Sequence, residues 1–169
     1  MKLDVQPRPK LSIPLTKLEI GLELLTVPLV VLNFVLPIVY WHDLPDVVPS
    51  HFDLQGTPNG FSPRSIVWVV ALFALGTYVA MTVVARFPHT FNYVFPITEK
   101  NAPKQYVLAR KFLSILKLEG ILLLFFAGWN IIQVGTGAAT TADVTDMFTL
   151  TAMLLISCLV YIFSSYFVK

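Results

Sequence analysis

Four long stretches without a formal charge constrain this sequence more than any other feature. They cover residues 24–42, 65–85, 120–142 and 147–168, and their lengths are 19, 21, 23 and 22 residues. A helix rises about 1.5 Å per residue, so each stretch can cross a hydrocarbon core of about 30 Å. A membrane β-barrel needs alternating strands of about ten residues, and this pattern is absent. The sequence therefore predicts an all-α integral membrane protein with four transmembrane helices.

Composition supports the same fold class. Hydrophobic residues make up 56% of the chain and charged residues 13%, and the mean hydropathy is +0.72. A soluble domain has about 25% charged residues, so an ordinary soluble domain is excluded. We expect a single membrane domain over residues 1–169. It is predicted to contain spans of about 18–41, 65–86, 112–134 and 147–168, an outer loop at 42–64 and a cytoplasmic loop at 87–111.

The positive charges predict how the chain is oriented. Ten Lys and Arg residues precede the first span, lie between the second and third spans, or open the third, whereas the other two connections contain only Arg64. Cytoplasmic segments of membrane proteins carry the excess of such residues. Both termini are therefore predicted to be cytoplasmic and the 42–64 loop to be outside. Within the cytoplasmic loop, Asn101 followed by Pro103 predicts a helix that begins near residue 102 and is capped by Asn101.

Polar residues recur every three or four positions in two of the spans. In the first span this stripe consists of Glu19, Glu23, Thr26, Val30, Asn33 and Pro37, and in the third of Glu119, Leu123, Phe126, Asn130 and Gln133. Such side chains are costly against lipid, so both stripes should face the interior of the bundle. One hypothesis is a proton or ion pathway that uses Glu23 and Glu119. The other is structural: the glutamates pair with Lys17 or Lys117, and the amides join helices.

The outer loop is rich in turn-forming residues and predicts an ordered loop or a short hairpin. Its candidate residues for partner binding or loop structuring are His51, Phe52, Asp53, Gly56, Pro58, Asn59 and Gly60. His51 and Asp53 are two residues apart on an extended segment, so they should point the same way. Imidazole and carboxylate groups also bind divalent cations. A metal site formed with His42, Asp43 and Asp46 is an alternative, although the spacing matches no zinc signature, and we assign neither a metal nor a cofactor.

The outer loop resembles part of a known bacterial family. This is the membrane domain of unknown function that forms the N-terminal part of the SdpI-type toxin-immunity proteins. The matching positions are Leu44, Pro45, Pro49, His51, Phe52, Asp53, Gly56, Pro58, Asn59 and Gly60. The cytoplasmic loop is similar at Asn92-Tyr93, Pro96-Ile97-Thr98, Asn101, Gln105-Tyr106 and Leu108-Ala109-Arg110. The resemblance extends over residues 35–117.

The resemblance implies a place in the bacterial cytoplasmic membrane and protection against a membrane-active peptide toxin, with signalling in some members. The immunity proteins carry a further C-terminal membrane domain that these 169 residues do not include.

Three functional hypotheses follow from the sequence. The first is a non-enzymatic membrane protein whose outer loop recognises or stabilises a partner, in the manner of an accessory or immunity factor. The second is a small structural subunit of a larger membrane complex, and the third is a proton, ion or metal-linked transporter. No set of residues suggests catalysis or nucleic-acid binding. The expected partners are the lipid bilayer and other membrane proteins or a peptide toxin, and a homo-oligomer is compatible with the sequence.

Overall fold

The computed structural model describes residues 8–169, in which four helices are long and apolar enough to cross a membrane. The elements in chain order are α1 (Lys17–Tyr40), β1 (Val47–Phe52), β2 (Pro58–Pro63), α2 (Ile66–Val84), α3 (Ala102–Gly135) and α4 (Thr145–Phe167). A single 3₁₀ turn at Pro88–Thr90 lies between α2 and α3. The four predicted spans are thus present, with boundaries close to those expected from the apolar stretches.

The helix α3 is the centre of the bundle. It packs against α1, α2 and α4, whereas α4 packs chiefly against α3. With 34 residues, α3 is longer than the roughly 20 residues that a bilayer core requires. Its first turns lie at the end of the bundle that carries the 87–101 loop, where Gln105 Nε2 donates to Ser165 O in the last turn of α4 at 3.1 Å. We call this the loop end, and the opposite end the hairpin end.

The starts of α1 and α3 are built differently. Thr16 and Glu19 form a capping box at α1, since Glu19 N donates to Thr16 Oγ1 at 3.3 Å and Thr16 N donates to Glu19 Oε2 at 2.7 Å. Asn101 precedes α3 but makes no side-chain cap, so that part of the sequence prediction is wrong. Its side chain instead turns back along the loop, where it accepts from Thr98 N at 2.8 Å and donates to Pro96 O at 3.0 Å.

The term all-α is incomplete, because the loop between α1 and α2 forms a two-stranded antiparallel sheet. This hairpin lies across the end of the bundle, where its inner face joins an apolar core. The fully buried members of that core are Leu44, Val48, Val67, Ile131 and Ile132. Phe52, Trp41 and Trp68 pack around them. Burial of apolar surface against α3 thus supplies the stability that an isolated hairpin lacks.

Candidate functional site

Asp53 organises the tip of the hairpin. Its Oδ1 accepts hydrogen bonds from the backbone N–H groups of Gln55 at 2.9 Å and Thr57 at 2.8 Å. Gly56, between these two residues, has a φ of +80°, a left-handed conformation that glycine adopts without steric cost. The Asp53 carboxylate therefore fixes the turn, and it lies directly after the last residue of β1.

Polar side chains also join the two strands. The imidazole Nδ1 of His51 donates to the side-chain oxygen of Asn59 at 2.6 Å, and the hydroxyls of Ser50 and Ser62 are 2.7 Å apart. Gly60 faces His51 so closely that an added Cβ would lie 2.9 Å from the His51 Cβ. The candidate residues of the outer loop thus hold the hairpin in its shape, and the register is irregular on both sides of His51.

The hairpin is fastened to both ends of the connection between α3 and α4. Ala142 N donates to Gly56 O at 2.8 Å, and a Cβ on Gly56 would overlap the carbonyl oxygen of Ala142. At the end of α3, a Cβ on Gly135 would lie 3.1 Å from Leu44 and 3.2 Å from Val48. Close packing at two glycines, against the Ala142 backbone at Gly56 and against the Leu44 and Val48 side chains at Gly135, therefore positions the hairpin on the bundle.

Asn130 holds the same connection from the side of α3. Its Nδ2 donates to Asp143 O and its Oδ1 accepts from Asp143 N, both at 3.0 Å. Asp143 in turn accepts from Thr145 N at 2.9 Å, at the first residue of α4. Asn130 thus lies on a buried face, as its spacing predicted, and both the nitrogen and the oxygen of its side-chain amide bond to the backbone. Gln133, one turn further, is half-buried.

A cavity of about 390 Å³ lies between the hairpin, α3 and α4. The hairpin contributes Ser50, His51, Phe52, Asp53 and Leu54, and the remaining lining comes from Ala127, Asn130, Ile131, Ala142, Val144, Met147, Phe148 and Thr151. Most of this lining is apolar, and Leu54 and Phe148 are exposed at its edge. The volume is within the range of natural ligand sites, which combine an apolar wall with a few polar groups.

The hairpin end of the bundle is strongly acidic. The two connections at this end carry the carboxylates of Asp43, Asp46, Asp53 and Asp143, with Asp146 in the first turn of α4, against the single guanidinium of Arg64. Arg64 is already engaged, because it pairs with Asp46 at 3.5 Å and lies 4.7 Å from the ring centre of Trp41. Five carboxylates against one cation give this surface a formal charge of −4.

The polar stripe of α1 lies on its buried face. Glu19, Thr26, Val30, Asn33 and Pro37 are all buried, and Glu23 is half-buried. Thr26 donates to Leu22 O at 2.7 Å and Asn33 donates to Leu29 O at 2.9 Å. These two side chains therefore donate hydrogen bonds to backbone carbonyls of their own helix.

Glu19 forms a buried ion pair with Arg110 on α3. The Arg110 Nε and Nη2 donate to the two carboxylate oxygens at 2.9 and 3.1 Å, and the side chains are only 8% and 3% exposed for Arg110 and Glu19. Arg110 also donates to the carbonyls of Ile13 and Pro14, at 2.7 and 2.9 Å. This guanidinium fastens the N-terminal segment and α1 to α3.

A second ion pair joins the same two helices. Lys117, which is 3% exposed, donates to Glu23 and also to Thr82 Oγ1 at 3.0 Å. Its ammonium lies 4.8 Å from the ring centre of Tyr78 on α2. Lys117 therefore ties α1, α2 and α3 together. One of the pairings expected from the sequence is present, while Glu19 pairs with Arg110 in place of a lysine.

Glu119 faces α4 instead of α1. Its Oε1 accepts from Ser157 Oγ at 2.7 Å, and its buried Oε2 has no hydrogen-bond partner among residues 8–169. Glu23 and Glu119 thus lie on different sides of α3, and the structure does not bring them together. The aromatic stack of Phe112 on Tyr161, with ring centres 4.3 Å apart, continues the same seam between α3 and α4.

The loop end is closed by the N-terminal segment. Tyr106 donates to Pro9 O at 3.1 Å, and the guanidinium of Arg8 lies 5.5 Å from the ring centre of Tyr93. Tyr93 donates to Pro88 O at 2.8 Å. Burial raises the pKa of the Tyr93 hydroxyl above its ordinary value, so the hydroxyl keeps its proton for this bond.

Within residues 8–169, no three His, Cys, Asp or Glu side chains are grouped so that they could hold a metal ion. The metal alternative for His42, Asp43, Asp46, His51 and Asp53 thus gains no support from the geometry. His51 and Asp53 are occupied by bonds within the hairpin.

The ion pair of Arg110 was not predicted from the sequence, and Lys117 was predicted only as one of two possible partners of the glutamates. Positive charges near a membrane surface suggest contact with lipid headgroups, yet both side chains are buried here. A signal was present, since positions 110 and 117 are seven apart and lie on one face of α3. Two cations on one face of α3 and two glutamates on one face of α1 form the pattern that would have indicated these ion pairs.

Part of the chain matches the sequence model of a known family. The sequence model of a family described as a domain of unknown function (DUF1648) matches residues 29–77. That range contains the second half of α1, the whole hairpin and more than half of α2. Neither the curated proteins nor the solved structures yield a match. The chain is therefore similar, over the segment that builds the hairpin end, to a family whose function is undefined.

Proposed function

We propose that this chain is a non-enzymatic, multi-pass protein of the bacterial cytoplasmic membrane whose hairpin end recognises a partner outside the cytoplasm. The observation that carries the proposal is the apolar cavity framed by the hairpin tip, α3 and α4. It lies at the one end where backbone contacts at Gly56 and side-chain bonds at Asn130 hold both connections in place. A pre-formed site of this kind binds without ordering a loop first.

The chemistry of the site favours an amphipathic partner segment with positive charge. An apolar side chain fits the cavity beside Phe52, Ile131 and Met147, and cations complement the carboxylates around it. Opposite charges speed encounter and exclude like-charged competitors. A membrane-active peptide has this character. The resemblance of residues 44–60 to the immunity proteins supports the same function.

Transport is less well supported by the geometry. Glu23 pairs with Lys117, Glu119 bonds to α4, and Asn33 bonds to its own helix. The structure also has a cavity at the loop end, and it shares no lining residue with the cavity at the hairpin end. The contacts of these side chains therefore favour recognition at the hairpin end over transport.

The test is site-specific photo-crosslinking in cells that express the chain. A photo-reactive residue replaces Leu54, which is 72% exposed at the cavity edge, and the control replaces Leu155, which is 59% exposed on the outer side of α4. We expect position 54 to capture one discrete peptide or protein that position 155 does not capture. Equal capture at both positions would contradict recognition at the hairpin end.

A cavity-filling variant makes the result specific. Ala127→Trp places a large ring in the cavity, whereas Ala152→Trp adds the same ring to the exposed surface of α4 outside it. The first variant should abolish the adduct and the second should keep it. An adduct that persists with the cavity filled would overturn the proposal. The chain could instead be isolated in a complex with fixed partners at constant stoichiometry. If Ala127→Trp did not change that complex, the result would support the structural-subunit hypothesis.

A further inference from the structure

A second cavity, of about 580 Å³, lies at the loop end. It is enclosed by the N-terminal segment, α1, α2 and α3, so every element except α4 and the hairpin contributes to its wall. Its charged lining residues are Glu19, Glu23, Arg86 and Arg110, and Tyr78 and Thr82 add hydroxyl groups. Among the functional hypotheses drawn from the sequence, the proton or ion pathway shares one residue with this wall, Glu23, and none of them assigns the cavity a ligand.

Both carboxylates that line this cavity are paired with cations. Arg110 and Thr16 N occupy the two oxygens of Glu19, and Lys117 binds the carboxylate of Glu23. Two carboxylates therefore face two cations in contact with them. The remaining charge on the lining is the guanidinium of Arg86.

Arg86 stands at the mouth of the cavity, two residues after the end of α2. Its side chain is exposed, and within the described part of the chain no carboxylate lies within 4.0 Å of it. Guanidinium groups bind phosphate oxygens in a bidentate manner. Among the charged lining residues, Arg86 is therefore the one without a carboxylate partner in residues 8–169, and a guanidinium group suits an anion.

The wall on the membrane side is apolar. Leu15 and Val27 line the cavity and are 59% and 44% exposed, respectively, so it opens sideways between α1 and α2. Val27 lies about 15 Å along α1 from its first residue, Lys17, since a helix rises about 1.5 Å per residue. A ligand that touches both Arg86 and Val27 must therefore combine an anionic head with an apolar chain.

We propose that this cavity binds an anionic phospholipid of the leaflet at the loop end, with its phosphate on Arg86 and an acyl chain along Leu15 and Val27. The positive-inside pattern predicts that this is the cytoplasmic leaflet. Basic pockets between membrane helices on that side bind lipid headgroups. The proposal does not depend on recognition at the hairpin end.

The test is titration of the delipidated protein, in mild detergent, with phosphatidylglycerol or with phosphatidylcholine of the same acyl chains. Native mass spectrometry gives the affinity for the first bound lipid. We expect phosphatidylglycerol to bind about tenfold more tightly, and Arg86→Gln to remove this preference because the charge-assisted bond is lost. The control Lys104→Gln removes an exposed cation at the same end that does not line the cavity, and it should keep the preference.

Further measurements separate a lipid from a soluble anion. Leu15→Ser should weaken phosphatidylglycerol binding, and millimolar inorganic phosphate should not displace the lipid. If inorganic phosphate displaced it, the site would serve a soluble anion and the lipid proposal would be overturned. A preference that survives Arg86→Gln, or that Lys104→Gln removes equally, would also overturn it. Unchanged thermal unfolding of both variants shows that the fold is intact.

Discussion

At the scale of single residues, charged side chains inside the bundle differ in how completely they are bonded. Arg110 uses three nitrogens on Glu19 and on two carbonyls of the N-terminal segment. Glu119 is equally buried, yet one of its oxygens has no partner among the described residues. Removal of one member of a buried pair costs about 3–5 kcal/mol. Because only one oxygen of the buried Glu119 carboxylate is hydrogen-bonded, this side chain lowers the free energy of unfolding of the native protein.

Glu119 gives a prediction about stability. Glu119→Gln keeps an oxygen for Ser157 and removes the buried charge, so we expect an equal or higher free energy of unfolding. Ser157→Ala leaves both carboxylate oxygens unbonded and should lower that free energy by about 1–3 kcal/mol. Equilibrium unfolding of the two variants in the same detergent measures both values. A larger loss for Glu119→Gln than for Ser157→Ala would mean that the charge itself is needed.

At the scale of elements, the hairpin is the part of the fold that the local sequence predicts least completely. Asp53, Gly56 and Asn59 predict its turn. Its position on the bundle depends on Gly135 and Ala142, which are more than 70 residues away and carry no special signal. Close packing against the backbone of a glycine or an alanine requires no characteristic side chain at that position, so only the structure shows it.

Gly56 offers a prediction about this attachment. Gly56→Ala forces a Cβ into the Ala142 carbonyl and places alanine at positive φ. Gly137→Ala is the control, since Gly137 has a φ of +75° but nothing within 4 Å of the added Cβ. We expect a loss of about 1–2 kcal/mol for the control from backbone strain alone. Gly56→Ala should lose about 1–3 kcal/mol more from overpacking.

Two measurements check the Gly56 prediction. Equilibrium unfolding compares the two variants, and limited proteolysis reports whether the 42–64 segment becomes accessible. Cleavage in this segment should accelerate for Gly56→Ala and stay near the wild-type rate for Gly137→Ala. Equal behaviour of the variants would mean that the hairpin is not held by the contact with Ala142.

The helices show why some features could be predicted and others could not. Long uncharged stretches give α1, α2, α3 and α4 directly, because the hydrocarbon core sets their length. Three- and four-residue spacing gives the buried face of α1. The partners of Glu19 and Glu119 could not be predicted, because they lie on helices that are far apart in sequence. No local pattern specifies which helices face each other.

At the scale of the whole molecule, α3 joins two ends of opposite chemistry. The hairpin end carries five carboxylates and one guanidinium. The loop end carries most of the Lys and Arg residues, including Arg86, Lys100, Lys104 and Lys111. Basic segments stay on the cytoplasmic side during insertion. The charge pattern therefore predicts that the cavity at the hairpin end is reached from outside the cytoplasm and the cavity at the loop end from the cytoplasmic leaflet.

Orientation is the final prediction. In a Cys158→Ser background, a single cysteine replaces either Gln55 at the hairpin tip or Lys100 in the long loop, both of which are exposed. A membrane-impermeant maleimide should label position 55 in spheroplasts and position 100 only after the membrane is permeabilised. The reverse pattern would place the acidic cavity in the cytoplasm. Recognition of an external partner would then fail, while lipid binding at Arg86 would move to the outer leaflet.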